Sequence, residues 1–260
     1  MSELGAMLAG SAVLARRNLR RAWRLPGLLL LAAGQPVAVA LFLGYVIGPV
    51  LAVTGYRDFL LPGVSTQAVA FAGGLVAVGL AADRRRGALD RLRALPISRW
   101  SVLFGHVGAN LGAQLAALAT AVATGLVTGW RIDAGPGRAL AGFALLLAFG
   151  QAVAWVSVVL GLAARTAQGA RRLGLVWTYP FVLVSCAFLP TGELPGWLRP
   201  IAEWNPVSVV ATALRELWHG GAFPARELAL ALVWIVGLLV AAVPTAYRLL
   251  ARGPRPGAGA

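Results

Sequence analysis

The sequence predicts an all-α membrane protein with six transmembrane helices, and three observations carry that prediction. The chain is 59% hydrophobic and only 12% charged, outside the range of an ordinary soluble domain. Six apolar stretches follow one another, each able to cross a hydrocarbon layer of about 30 Å. Every basic residue is an arginine, and the arginines are sorted between alternate gaps. One set of gaps holds Arg57, Arg131, Arg138, Arg199, Arg215 and Arg226, balanced by Asp58, Asp133, Glu193, Glu203, Glu216 and Glu227. The other set holds the remaining arginines against Glu3, Asp83 and Asp90, so it carries the whole formal charge of +14. Short Arg-rich loops stay cytoplasmic, which puts both termini on the cytoplasmic side of the cell membrane.

The N-terminal segment 1–25 reads as a cytoplasmic amphipathic helix lying on the membrane. At 100° per residue, Arg16, Arg17, Arg20, Arg21 and Arg24 share one face while Leu4, Met7, Leu8, Ala15, Leu19 and Ala22 share the other. Residues 26–250 form the six-span domain. The first span runs from about Pro26 to Val53 with a kink expected at Pro36, and the second from about Leu61 to Ala82. The third, Val102 to Trp130, is the most polar, and the fourth, Ala139 to Ala164, carries Gln151 in its middle. The fifth, Leu173 to Leu189, is interrupted by Pro180, and the sixth covers Leu228 to Leu250. The tail 251–260 is expected to be cytoplasmic and disordered. Trp100, Trp130, Trp197, Trp204 and Trp218 fall near the predicted interfaces, where an indole keeps its ring apolar and its N–H wet. The pairs Gly44/Gly48, Gly108/Gly112 and Gly125/Gly129 would let helices approach closely.

Two gaps hold more than a connection. The charged segment 84–99 places Leu89, Leu92 and Leu95 on one side of a short helix, with Arg86 and Asp90 one turn apart. Pro96 ends that helix and Ser98 caps the next. The segment reads either as a docking knob for a soluble partner or as a loop that only sets topology. The long gap from about Pro190 to Glu227 is apolar but broken by Pro195, Pro200 and Pro206. It predicts two short helices, near Gly196–Trp204 and Val207–Trp218, too short to cross the bilayer and so re-entrant or surface-lying. On the second, Val207, Val210, Ala211, Leu214 and Leu217 form an apolar stripe, with Arg215, Glu216 and His219 expected to stay wet.

At membrane depth, His106, Asn110 and Gln114 recur every four residues on the third span. Polar groups in hydrocarbon need partners, so this row is either the polar wall of a substrate path or a set of inter-helix hydrogen bonds. No catalytic constellation emerges. A metal site lacks ligands, with two histidines and one cysteine in the whole chain. Gly63-Val64-Ser65-Thr66 departs from the Gly-x-Ser-Gly of an intramembrane serine protease, although a membrane-embedded enzyme stays an alternative from another class. A P-loop needs a lysine, and the chain has none, so ATP and magnesium would have to be bound elsewhere. The high pI of about 11.7 does not imply nucleic acid, because the arginines lie between apolar runs and face anionic lipid. No cleavable signal peptide is expected, since the first apolar run exceeds signal length.

The string Tyr56-Arg57-Asp58-Phe59-Leu60-Leu61-Pro62-Gly63, then Gln67, then the run from Gly87 through Asp90, Arg91 and Leu92 to Leu95-Pro96-Ile97, resembles the ABC-2 type permeases. Within them it resembles the daunorubicin-resistance membrane components. Phe188-Leu189-Pro190, Leu194-Pro195-Trp197-Leu198 and Asn205-Pro206 extend the likeness along nearly the whole chain. The resemblance implies the permease subunit of an exporter of drugs or secondary metabolites, paired with a separate ABC-type ATPase and with a second copy of itself. It implies that 84–99 is the coupling segment, with Arg86, Leu89, Asp90, Leu92, Arg93 and Leu95 meeting the ATPase. It also implies that the second and fifth spans face the path, adding Gln67, Tyr179 and Phe181 to His106, Asn110 and Gln114. A glycolipid or polysaccharide is the alternative cargo.

Overall fold

A computed structural model describes residues 26–51, 55–85, 87, 98–164, 166–220 and 223–251. The N-terminal helix, the coupling residues Arg86, Leu89, Asp90, Leu92, Arg93 and Leu95, and the tail from residue 252 lie outside the described residues. Among the described residues all regular structure is helical. Helix α1 (Pro26–Phe42) continues through a π-helical turn at Leu43–Ile47 into α2 (Gly48–Leu51). Then come α3 (Tyr56–Arg85), α4 (Arg99–Val127), α5 (Pro136–Ala163) and α6 (Ala167–Leu183). A 3-10 turn at Thr191–Glu193 leads to α7 (Arg199–Trp204), α8 (Pro206–His219) and α9 (Ala225–Ala251). Four of these, α3, α4, α5 and α9, are long and apolar enough to cross a membrane.

Helix α3 is the hub, packing against α1, α4, α5, α6 and α8. It runs antiparallel to α4, since Leu61 lies by Gly125 near one end and Asp83 meets His106 near the other. Small residues make this closeness possible. A Cβ on Gly73 would sit 2.9 Å from the carbonyl oxygen of Gly150, and one on Gly161 2.9 Å from that of Ala77. Gly63 is tighter still, its backbone lying directly against the carbonyl of Ala187. The predicted Gly108/Gly112 pair has no such role at its first member, which is exposed. Close packing of small residues replaces the hydrophobic drive that lipid cannot supply.

Helix ends follow local chemistry. Ser98 caps α4 as expected, its Oγ accepting from Trp100 N at 3.3 Å. Asn205 caps α8, accepting from Val207 N at 2.9 Å, with Pro206 at the first helical position where no N–H is needed. The first apolar stretch holds Pro36 inside α1 and departs from α-helix at the π turn Leu43–Ile47. Two expectations need correction. The fifth stretch is helical only to Leu183, and residues 184–190 run on without helix, with the carbonyls of Phe181 and Val182 accepting from the side chains of Asn205 and Ser185. Trp130 and Trp218 are not interface anchors, being 1% and 0% exposed and packed edge to face at 5.4 Å. Trp197 and Trp204 are exposed.

Candidate functional site

Polar groups gather at three levels along α3. At its Arg85 end, Asp83 and His106 are both buried and meet at 3.3 Å between Oδ2 and Nε2. His106 Nδ1 lies 2.9 Å from the carbonyl of Val102, which can only accept, so Nδ1 is the donor there. The Nε2–Oδ2 contact then needs a proton of its own, on one partner or the other. Beside it, Arg84 Nη1 donates to the carbonyls of Leu162 at 2.8 Å and Ala164 at 3.4 Å, closing the end of α5. The end of α3 that leads into segment 86–97 is thus fastened to both α4 and α5.

At mid-height, Gln151 Nε2 donates to Gln114 Oε1 at 3.0 Å, and the fully buried Gln114 amide lies against the backbone of Gly150. Gln114 Nε2, Asn110 Nδ2 and Gln67 Oε1 are buried without a hydrogen-bond partner. The row His106, Asn110 and Gln114 therefore points into the bundle, as polar groups in hydrocarbon should. Gln67 is buried on α3 as well. Tyr179 is exposed and packs edge-on against Phe71 at 5.1 Å, while Phe181 is half-buried against Trp177 at 4.8 Å. Phe181 and Trp177 border a small apolar crevice closed by Phe149, Pro206 and Leu238. The six path candidates are thus split between a buried seam and the surface of α6.

The densest polar construction is at the Tyr56 end, where sequence reasoning expected little. Arg215 was expected to stay wet. Instead its Nε donates to Phe59 O and its Nη2 to Cys186 O and Ala187 O, each at 2.9 Å. Its guanidinium lies 3.6 Å above the ring of Phe59. Burial lowers it from the ordinary guanidinium range to about 10, so it stays charged at neutral pH. His219 lies 2.9 Å from the carbonyl of Asp58, the group orphaned in α3 because Pro62 four residues on has no N–H. Asn205 Nδ2 donates to Phe181 O at 2.7 Å and Val184 O at 3.1 Å, and Ser208 Oγ accepts from Cys186 N at 2.8 Å. Tyr56 Oη donates to Phe188 O at 2.9 Å. Side chains of α8 and its Asn205 cap thus satisfy the Asp58 carbonyl that Pro62 leaves bare and the backbone at and beyond the end of α6, which is the condition for irregular backbone away from water. The one available clue was Asn205, Ser208, Arg215 and His219 falling within one short helix beside two proline breaks. Next to this cap, a cavity of about 560 Å³ opens between α2, the start of α3 and the residues after α4, lined by Gly48, Tyr56, Arg57, Asp58, Thr128 and Trp130.

Long apolar helices around a small-residue hub, with buried polar side chains spent on packing and capping, define a polytopic helical membrane protein. The family follows from comparison. The ABC-2 type transporter model matches residues 11–218, so the chain belongs to the ABC-2 type transporter family. It is 32% identical over 217 residues to the daunorubicin resistance ABC transporter permease protein DrrB1 of Streptomyces coeruleorubidus, covering 83% of this chain and 76% of that protein. It is also 29% identical over 216 residues to the probable doxorubicin resistance ABC transporter permease protein DrrC of Mycobacterium tuberculosis (strain CDC 1551 / Oshkosh), covering 81% and 77%. The chain is therefore the membrane subunit of an ABC exporter. Permeases of this kind work with an ABC ATPase subunit and lack an ATPase site of their own.

Proposed function

We propose that this permease moves an amphipathic, drug-like or secondary-metabolite cargo out of a bacterial cell across the plasma membrane, as a homodimer driven by a separate ATPase. The supporting observation is the fastening of α3 next to the segment 84–99. The Asp83–His106 contact and the Arg84 bonds to the end of α5 join three helices there. A push on that segment by the ATPase would move α3, which packs against α1, α4, α5, α6 and α8, rather than a loose end. The coupling role of Arg86, Leu89, Asp90, Leu92, Arg93 and Leu95 belongs to this proposal, with ATP and magnesium on the partner and no cofactor in this chain.

Six spans are the natural completion of the fold. The run from Pro26 to Leu51 is about 39 Å long and α6 about 26 Å at 1.5 Å per residue, so α1 with α2, and α6 with the stretch after it, would complete the count. Helices α7 and α8 would be the re-entrant pair, both termini cytoplasmic. With Asn110 and Gln114 directed into the bundle, the cargo path would run along the open face of α6. Tyr179, Leu175, Val176 and Leu183 are exposed there, a surface suited to an apolar aromatic molecule between two copies. Relatives named for daunorubicin and doxorubicin resistance agree with such a cargo.

The test is efflux of daunorubicin from a pump-deficient bacterium expressing the chain with an ABC ATPase partner. Export should fall to background when the partner is replaced by a hydrolysis-dead variant. Export that ignores the partner's hydrolysis would end the proposal. Transfer of a lipid-linked sugar, with no drug efflux, would favour the glycolipid reading.

A further inference from the structure

Three carbonyl oxygens hold Arg215, and they belong to two bodies. Cys186 and Ala187 lie in the non-helical stretch after α6, to which α8 is also bound through Asn205 and Ser208. Phe59 lies on α3. The contacts therefore divide into a permanent set and a seam. The permanent set joins α8 to residues 181–187 by five bonds from Asn205, Ser208 and Arg215. The seam joins that unit to α3 through Arg215 Nε on Phe59 O, the guanidinium on the Phe59 ring, His219 on Asp58 O, and Tyr56 Oη on Phe188 O.

We propose that this seam is a gate at the outer end of the permease, and that Arg215 is the positioning residue that closes it. The inference rests on the exporter reading. If α3 is the helix that the ATPase moves, its far end must slide against the α8 unit, and the seam is what resists. The chemistry of the seam suits repeated opening. Arg215 bonds carbonyls in these contacts, not a carboxylate, so release does not strand a buried counter-ion. Three donor contacts aimed at two bodies let it drop Phe59 O while keeping Cys186 O and Ala187 O. The freed Nε then meets water or a carbonyl-bearing cargo arriving at the same place. Backbone contact along the seam also explains the need for glycine at residue 63, where any side chain would collide with Ala187.

Cys186 is the chain's single cysteine and is buried in the unit, so it reports on the gate without engineering. The experiment measures its alkylation by a membrane-impermeant maleimide added outside cells that carry the full chain and its ATPase partner. Wild-type Cys186 should be protected at rest and react during ATP turnover. Arg215→Met removes the bond to Phe59 O together with both bonds to Cys186 O and Ala187 O and should react at least about tenfold faster at rest, while Phe59→Ala isolates the seam. Arg215→Lys, which keeps the charge but not the fork, should fall between. Phe59→Ala removes the stacked ring and leaves every carbonyl, so it gives a milder rise and serves if Arg215→Met fails to accumulate. Equal protection in Arg215→Met or Phe59→Ala and wild type, at rest and in turnover, would overturn the gate. Labelling only from the cytoplasmic side would instead overturn the orientation on which the exporter reading stands.

Discussion

Helices α3 and α9 are of nearly equal length, each with an internal proline, and α9 is the more apolar. Yet 72% of the most apolar stretch of α3 is buried inside the subunit, against 17% for α9. Hydrophobicity does not separate them, because lipid satisfies Val233, Val236 and Val240 as well as protein would. Small and polar residues do. Helix α3 carries Gly63, Ser65, Thr66, Gln67, Gly73 and Gly74, and its neighbours sit close enough to touch its backbone. In a membrane, the buried helix is marked by what it lacks in side-chain bulk.

The largest effect that would break this contrast comes from adding bulk on each helix in turn. Gly73→Leu places a Cβ 2.9 Å from Gly150 O and 3.2 Å from Ala154 N, backbone atoms that cannot turn aside. Overpacking of this kind should cost about 3 kcal/mol, read as loss of folded permease or a fall in Tm in detergent. Gly237→Leu on α9 meets nothing within 4 Å and should stay within about 0.5 kcal/mol of the parent. A large loss from Gly237→Leu would show that this face of α9 packs on a second subunit.

A loss of about the same size should come from the pair that fastens α3 to α4. His106→Leu removes one partner from a buried contact, a change that generally costs about 3–5 kcal/mol. The lower end is expected because Asp83 keeps another interaction. His106→Gln offers an amide donor at a similar reach and should recover most of the loss in Tm. An equal loss in both variants would mean that the imidazole matters for its shape and not for its bond to Asp83.

How much of this could be read from residues alone depends on whether the feature is local. The four long apolar helices, the Ser98 cap and the two short helices at Arg199–Trp204 and Pro206–His219 follow from runs of apolar residues and proline breaks, which are local signals. The cap around Arg215 was not legible. An arginine in a polar-looking turn of a short helix gives no sign that carbonyls 28 and 156 positions away will enclose it. Cys186 O and Ala187 O are open because the chain leaves helix after Leu183, Phe59 O lies in the first turn of α3, and only the fold shows which side chain reaches them. Among the path candidates, spacing showed that His106, Asn110 and Gln114 share a face. It could not show that the face turns inward, because an inward wall and a cavity wall demand the same residue types.

The smallest expected effect lies where α8 meets the start of α9, and it tests whether that contact carries charge strain. Burial raises the Glu216 carboxyl above its ordinary range, and Glu227 in the first turn of α9 raises it further. A carboxyl raised on folding binds its proton more tightly in the native state. Its ionisation therefore costs stability progressively as pH rises from the ordinary carboxylate value through the raised one, and the full cost is present above that. Glu216→Gln removes this penalty, so at neutral pH the variant should melt slightly higher than the parent. As pH falls through the raised carboxyl range the parent protonates and the gap should close, which paired thermal melts across pH would resolve. If the variant melts lower than the parent at neutral pH, Glu216 contributes a bond worth more than its charge costs, and the junction of α8 with α9 is held by polar contact instead of strained by it.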